Sequence, residues 1–519
     1  MRPRKSFNQI VITVLASVAI LLSWVTLAHA QALRNNRGSG TPEQRTQRYF
    51  DIVLQQPQQL MAFLLKMPKG ADLHNHLSGA IYAESYIKWA ADKGLCVNQT
   101  TMTLVTCDPT GNQVPMSAAL TNSVLYRQLI DAWSMRNWTL SGQSGHDHFF
   151  DTFGKFGQAT YGQTGQMLAE EVARAARGHV SYEELMLTPD GGISSTIGGQ
   201  VGWDGNFQET LAKLKEKGIG DAVAQSRKTL LVAEQEKDKL LKCQTPQADP
   251  GCGVKVRYIF QVSRGFALGQ VFAQMVTAFM SASDPDSKVV AVNLVQAEDS
   301  LSSMQNFAIQ MQMLDFLHRE YPKAHVTLHA GELAPGLVPP DGLSFHIRQS
   351  VLLGHAERIG HGNDIMHEDD PEELLREMAR RDVMVEICLT SNDVILGIRG
   401  KQHALSTFIQ FGVPVALATD DEGVSRSEIS VEYLKGVTEQ NLSYLQLKTM
   451  ARNSLQYAFL PGESLWVDHK KFIPVSQCAR DVGTRNSPSK SCQGFLSANE
   501  KAGLQWGLEA DFSAFEAHF

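Results

Sequence analysis

Short apolar runs alternate with amphipathic stretches along most of the chain. Eight runs have the length and β-branched content of buried strands: Ala71–His76, Val180–Leu187, Val256–Val262, Val289–Val295, His325–His329, Arg358–Gly360, Val383–Leu389 and Val413–Ala418. Stretches of helical periodicity separate most of them, as over Gln166–Arg177, Met304–Glu320, Pro371–Arg380 and Leu405–Phe411. Strands alternating with helices predict a parallel sheet, as a doubly wound fold or a (β/α)8 barrel, and a count of eight favours the barrel. Two intervals are too long for simple crossovers, about 93–144 after the first strand and about 190–253 after the second, and both read as insertions. The second carries a charged helical stretch, Leu211 to Lys242, that reads as a solvated face. Gln44 to Leu65 predicts an amphipathic helix ahead of the barrel.

The start of the chain has a different pattern. Arg2, Arg4 and Lys5 precede an apolar run from about Ile10 to Ala28, and Ala28-His29-Ala30 has the small-x-small form of a cleavage site. This is the form of a secretory signal peptide over residues 1–30, cleaved after Ala30, and it predicts a secreted or periplasmic protein with no stable membrane association after cleavage. The competing reading is an uncleaved anchor, since about 18 apolar residues just suffice to span a bilayer.

Composition adds exclusions. Hydrophobic residues are 43% and charged residues 19% of 519, so the chain is neither collagen-like nor wholly disordered. A net charge of −7 does not fit an electrostatic trap for nucleic acid. Seven cysteines are too few for a disulfide-built miniprotein. Six of them fall in close pairs flanking turn-rich stretches, Cys96 with Cys107, Cys243 with Cys252 and Cys478 with Cys492, while Cys388 lies in an apolar run. Local pairing is the preferred reading, agrees with export, and leaves one buried thiol, although the sequence alone leaves the connectivity open.

Candidate chemistry gathers at the C-terminal ends of the strand-like runs, where barrel enzymes carry their active sites. The first run ends His74-Asn75-His76. Residues two apart on a strand share a face, so both imidazoles can meet one metal ion. The fifth run ends His329-Ala330-Gly331-Glu332, the sixth Gly360-His361-Gly362 and the eighth Thr419-Asp420-Asp421. Each alone is equally a structural histidine or a surface acid. Four on four different strands form a far more specific pattern.

These motifs resemble the adenosine and AMP deaminase family of metal-dependent amidohydrolases. The matching residues are Met67-Pro68-Lys69-Gly70-Ala71-Asp72-Leu73-His74-Asn75-His76-Leu77, His329-Ala330-Gly331-Glu332, Arg358-Ile359-Gly360-His361-Gly362, Thr390-Ser391-Asn392 and Thr419-Asp420-Asp421. Tyr182-Glu183-Glu184-Leu185, His403 and Asn453-Ser454 match more weakly, and the likeness runs from about Met67 to Leu460. The apolar leader and Met67-Pro68-Lys69-Gly70 are similar to the secreted, growth-factor-like group, whereas His76-Leu77-Ser78-Gly79 is nearer the intracellular group. The resemblance implies a TIM-type barrel over 67–460, with an N-terminal helical extension at 31–66 and a C-terminal extension at 461–519.

It also implies one Zn2+ per chain held by His74, His76, His329 and Asp420, a donor set that suits zinc. His361 would orient the attacking water and take its proton or stabilise hydroxide, with Asp420 also placed to help. Glu332 would protonate purine N1. Asp421 would bind N7, and His76, Ser78 and Gln296 would line the substrate. The implied reaction is hydrolytic deamination of adenosine, and of 2'-deoxyadenosine, to the inosine-type product and ammonia. Glu184, Glu298 and His403 read as structural groups, and Asn392 and Ser391 as groups that orient ligands.

Two departures bear on substrate. The family's fourth strand carries Asp-Leu-x-Gly-x-Glu, and here the run is Asn293-Leu294-Val295-Gln296-Ala297-Glu298. Gln296 replaces the glycine, whose backbone N–H meets N3, and its side chain would crowd that edge. Ser78 replaces an Asp that usually meets the ribose. The alternatives are another aminopurine as substrate, or a secreted nucleoside-binding or signalling protein with incidental activity. The 93–144 insertion is a candidate partner-binding element, for instance in a homodimer.

Overall fold

The computed structural model describes residues 40–108, 111–482 and 487–519. The expected export signal at residues 1–30 lies outside them. Among the described residues no helix is long and apolar enough to cross a membrane.

Eight parallel strands run in chain order around a nearly closed barrel: β1 (Gly70–His76), β2 (Val180–Leu187), β3 (Lys255–Ser263), β4 (Val289–Val295), β5 (His325–Ala330), β6 (Arg358–His361), β7 (Met384–Ile387) and β8 (Val415–Leu417). Each expected strand is present, with ends shifted by at most a few residues. Every residue of β1, β6, β7 and β8 is buried, as parallel strands covered by helices must be. Helices alternate with the strands, among them Thr164–Arg177, Leu268–Ser283, Leu301–Glu320 and Pro371–Arg381. Closure between β1 and β8 is made by a single parallel bridge, Asn75 with Asp420. Asp420 N–H donates to His74 O at 2.8 Å, and His76 N–H donates to Asp420 O at 3.2 Å.

A buried charge network crosses the barrel interior. Arg358 on β6 donates from Nη2 to Glu184 Oε2 on β2 and from Nε to Glu386 Oε1 on β7, both at 2.6 Å. Its Nη1 reaches Tyr457 O at 3.0 Å. All three charged side chains are essentially inaccessible, so each ion's desolvation is offset by its partners. Glu184 also accepts from Tyr182 Oη and Phe459 N–H, in keeping with its structural reading.

Two expected helices are broken. The N-terminal stretch forms Pro42–Val53 and Pro57–Lys66 in place of one helix, because Pro57 has no N–H for the preceding turn and instead starts the second helix. The charged stretch forms Phe207–Glu216 and Gly220–Leu240, parted at Gly218 in the left-handed region at φ +85°. The first insertion contains a three-stranded antiparallel sheet with Cys96–Asn98 in its centre. The three disulfides are Cys96–Cys107, Cys243–Cys252 and Cys478–Cys492, and Cys388 is a buried free thiol, as the spacing favoured.

The helices Pro42–Val53 and Pro57–Lys66 meet the helix Glu500–Glu516. Phe63 packs against Phe515 of the helix Glu500–Glu516 at a centroid distance of 5.0 Å, and Lys448 bridges Glu43 and Glu516 at 2.6 and 2.5 Å. Phe50, Phe63 and Phe515 belong to the same core cluster as the barrel.

Replacing Arg358 by Met strands two buried carboxylates. Unfolding free energy from urea titration should fall by about 3–5 kcal/mol, the range for breaking a buried pair from one side. A loss under about 1 kcal/mol would show that the network contributes little.

Candidate active site

The C-terminal ends of β1, β5 and β8 bring four side chains to one point. His74 Nε2 and His76 Nε2 lie 3.1 and 3.2 Å from His329 Nε2, and Asp420 Oδ1 lies 3.6 and 3.3 Å from the first two. All four side chains are buried. Nitrogen and oxygen atoms that share one zinc ion at about 2.0–2.1 Å lie roughly 3–3.5 Å from one another, which matches this cluster.

The outer hydrogen bonds say which ring atoms are free. His74 Nδ1 faces Glu386 Oε2 at 2.6 Å, His76 Nδ1 faces Gln261 Oε1 at 2.6 Å and His329 Nδ1 faces Asn293 Oδ1 at 2.7 Å. Each partner oxygen accepts, so each Nδ1 carries the hydrogen and each neutral ring turns a lone pair inward. Three lone pairs and an ionised carboxylate converging at about 3 Å repel one another unless a cation lies among them. Without a metal, a proton takes that role. Burial opposes charge on His74, yet its bonds and proximity to Asp420 and Glu386 push its pKa up to about 10. The residues therefore fit a metal such as zinc.

Small residues make the space. A Cβ on Gly360 would lie 2.5 Å from the His74 ring, and one on Gly79 would lie 1.4 Å from Asp421 Oδ1. Asp420, His361 and Gln296 all hold left-handed backbone, at φ +59°, +72° and +86°. Strain of this kind at a cleft persists only where neighbours over-determine it. Asp420 Oδ2 accepts from Ser391 Oγ at 2.6 Å, and the Asp420 main chain closes the barrel.

Beside the cluster opens a cavity of about 540 Å3, within the range of small-molecule sites. It is lined by His76, Ser78, Gln296, Glu332 and Asp421 among others. His74 and His361 lie behind this surface and are fully buried. All nine site residues expected from sequence thus fall in one region. Burial, then the nearby Asp420 and Glu298, raise Glu332 to about 8, so it keeps its proton at neutral pH. Burial and Asp420 likewise push Asp421 well above the usual carboxylate range. Asp420 itself is held well below that range: burial opposes its charge, but its hydrogen bond with His74 and the proximity of His74, His76 and His361 outweigh it. His361 Nδ1 meets Asn392 Nδ2 at 2.9 Å, and its Nε2 lies 3.7 Å from Glu332 Oε1.

Gln296 does not simply crowd the cavity. Its Oε1 accepts from Gly265 N–H at 2.8 Å, and its carbonyl accepts from Arg264 Nε and Nη2 at 3.0 and 2.9 Å. Glu298 accepts from the backbone N–H groups of Gly331 and Glu332 at 3.1 and 2.8 Å and so sets the course of the chain at the acid. Sequence reasoning missed several groups. Glu386 was signalled as the one charge in an apolar strand. Asn293 stands at the family's Asp position in the fourth-strand run, Gln261 carried no comparable sign, and the aromatic wall of Phe149, Phe150 and Phe153 lies on the helix Gly145–Thr160.

A family model described as adenosine deaminase matches residues 148–465. Strand β1, with His74 and His76, lies outside that match and enters the site through geometry. The adenosine deaminase of Serratia proteamaculans (strain 568) is 37% identical over 136 residues, covering 26% of this chain and 38% of the relative. That of Escherichia coli (strain SE11) is 32% identical over 218 residues, covering 41% and 59%. The chain therefore spans less than two thirds of the length of either relative. Among solved structures, the apo N6-methyl-AMP deaminase of Arabidopsis thaliana aligns with a TM-score of 0.50 at 20% identity, over 77% of this chain and 94% of that one. Arabidopsis ADAL complexed with IMP gives 0.51 at 19%, over 76% and 93%. These two likenesses show a shared fold. Since the family model matches more than half of its length, the chain belongs to the adenosine deaminase family.

Proposed function

We propose that this protein is an exported, zinc-dependent aminohydrolase that converts adenosine and water to inosine and ammonia. One observation carries the reading. Two carboxyl groups on a single cavity, Glu332 and Asp421, are kept protonated by burial and by negative neighbours. An adenine ring offers lone pairs at N1 and N7, so it needs donors there, and an ionised carboxylate cannot donate. Glu332 gives its proton to N1 and Asp421 donates to N7. Water adds at C6, Asp420 takes one of its protons and passes it to the departing amine, and the remaining hydroxyl proton returns to Glu332 as the C6 carbonyl forms. Bound at His74, His76, His329 and Asp420, zinc would supply a Lewis acid that makes water nucleophilic near neutral pH. His361 orients the water, and Ser78, Gln296 and His76 border the substrate.

The catalytic unit in this reading is the barrel over 67–460, flanked by extensions at 31–66 and 461–519. Export is supported by the leader sequence and by three disulfides, which persist in oxidising compartments. Selectivity for a nucleoside over a nucleotide is supported by the lining, because no Lys or Arg is among the described residues that line the cavity.

Removing metal with a chelator should abolish ammonia release from adenosine, and added zinc should restore it; activity that survives full demetallation sinks the metal role. Glu332→Gln should lower kcat by about 10²–10⁴-fold with little change in KM. In the wild type the protonated acid is the active form, so kcat/KM should fall as pH rises through about 8. A rate flat to pH 10 would remove Glu332 as the donor. In an aminopurine panel followed by absorbance, AMP should be at least about 10²-fold poorer than adenosine in kcat/KM, since its phosphate would meet no cation. Adenine or AMP as the best substrate would reassign the specificity.

A further inference from the structure

His361 is the end of a buried hydrogen-bond chain whose polarity is set at its far end by a main-chain group. Leu405 N–H donates to His403 Nδ1 at 3.1 Å. A backbone amide has no alternative role, so His403 Nδ1 bears the lone pair and the hydrogen of the neutral ring sits on Nε2. That Nε2 meets Asn392 Oδ1 at 3.1 Å. With a donor on that side, the carboxamide must present its oxygen to His403 and its NH2 to His361. Asn392 Nδ2 then donates to His361 Nδ1 at 2.9 Å. The ring of His361 therefore carries its hydrogen on Nε2, which has no hydrogen-bond partner among the described residues and lies 3.7 Å from Glu332 Oε1. His361, Asn392 and His403 are 0, 0 and 2% exposed, so water does not scramble the chain.

We propose that His403 and Asn392 are positioning residues that fix His361 as a hydrogen-bond donor at Nε2, the form that holds and stabilises the attacking oxygen, and deny it the lone pair a general base needs at that atom. The inference deepens the deaminase reading and rests on it for the identity of the attacking oxygen. It selects between the two roles expected of His361, since taking the water's proton at Nε2 requires the other tautomer. Proton acceptance falls to Asp420, which has no hydrogen to lose. The wrong tautomer of a catalytic histidine can preserve the fold and still remove most of the rate, as the serine-protease triad illustrates. Asn392 and His403 sit 31 and 42 residues beyond His361 in sequence, on the segment between β7 and β8, so the chain also ties two loops of the barrel rim together.

Two variants of His403 separate orientation from packing. Gln keeps an N–H near the position of Nε2, whereas Leu keeps bulk and removes the donor, freeing Asn392 to turn over. In zinc-loaded protein with 15N-labelled histidine, long-range proton–nitrogen spectra, assigned with His361→Gln, should show His361 protonated at Nε2 and bare at Nδ1. His403→Gln should keep that pattern and lie within a few-fold of wild-type kcat. His403→Leu should shift His361 toward the Nδ1–H form and lower kcat by about 10²-fold with KM within about threefold. Thermal denaturation of each variant identifies loss through misfolding, and His403→Gln then decides alone. A wild-type His361 protonated at Nδ1, or equal kcat in the Gln and Leu variants, overturns the proposal. Absence of adenosine turnover in the wild type would instead sink the deaminase reading and leave the spectroscopic test standing.

Discussion

Strands β1 and β8 are joined through residues of the site itself. Asp420 N–H reaches His74 O, Asp420 O receives His76 N–H, and β8 proper is only Val415–Leu417. The barrel thus closes on the same peptide groups that bring His74, His76 and Asp420 together. Supporting bonds converge there as well: Thr419 donates from N–H and Oγ1 to Asp72 Oδ2 at 3.2 and 2.6 Å, and Ser391 secures Asp420 Oδ2. A ladder of many hydrogen bonds would hold the seam without Asp420. With one bridge, seam and site share their geometry, and the left-handed backbone of Asp420 is tolerated because both require it.

Charge follows from that arrangement. Below the site, Arg358 neutralises Glu184 and Glu386, and burial opposed by Arg358 and His74 leaves Glu386 near a pKa of 2. Glu386 is therefore an ionised acceptor that orients His74. Above it, Asp420 is an ionised group facing neutral imidazoles and invites a cation. The next acids outward, Glu332 and Asp421, cannot also ionise beside Asp420 and stay protonated. One ionised carboxylate between two neutral ones is the pattern an acceptor-rich aromatic ring needs. It arises from proximity and burial, with no lysine or arginine among the described residues that line the cavity.

The legible parts of this molecule were those that repeat or that violate a local pattern. Buried parallel strands read as apolar runs, and all eight were located. His74-Asn75-His76 was interpretable because the two-residue period of a strand puts both rings on one face. The helix breaks at Pro57 and Gly218 were also written locally, but amphipathic periodicity on both sides hid them. Groups whose role depends on distant partners were not legible. Gln261 and Asn293 gain meaning only from the imidazoles across the barrel mouth. His403 read as a structural group, and it does accept from the Leu405 N–H at the start of a helix, but its second bond, to Asn392, joins residues 11 apart with no local pattern to mark it. The contact of Phe63 with Phe515, between helices more than 400 residues apart in sequence, had no sequence sign either.

Gln296 shows how a departure at a binding edge is absorbed. A side chain at φ +86° is disfavoured relative to glycine, and a free carboxamide there would project over the cavity. Three neighbours remove that freedom. Arg264, buried among the ends of β3, β4 and β5, grips the Gln296 carbonyl with two N–H groups, and its own carbonyl is held by Gln310 Nε2 at 2.8 Å. Gly265 supplies the N–H for Oε1 and leaves room, since a Cβ there would come within 2.8 Å of that oxygen. The carboxamide is therefore anchored with its NH2 end outward, so the edge gains a hydrogen-bond donor where bulk alone was expected. Whatever ring edge lies against Gln296 must offer it an acceptor or leave it to solvent at the mouth, where the residue is exposed. A purine nucleoside, with a ring nitrogen and ribose oxygens on the side away from N1 and N7, meets that condition, and the substitution is then compatible with the same substrate class.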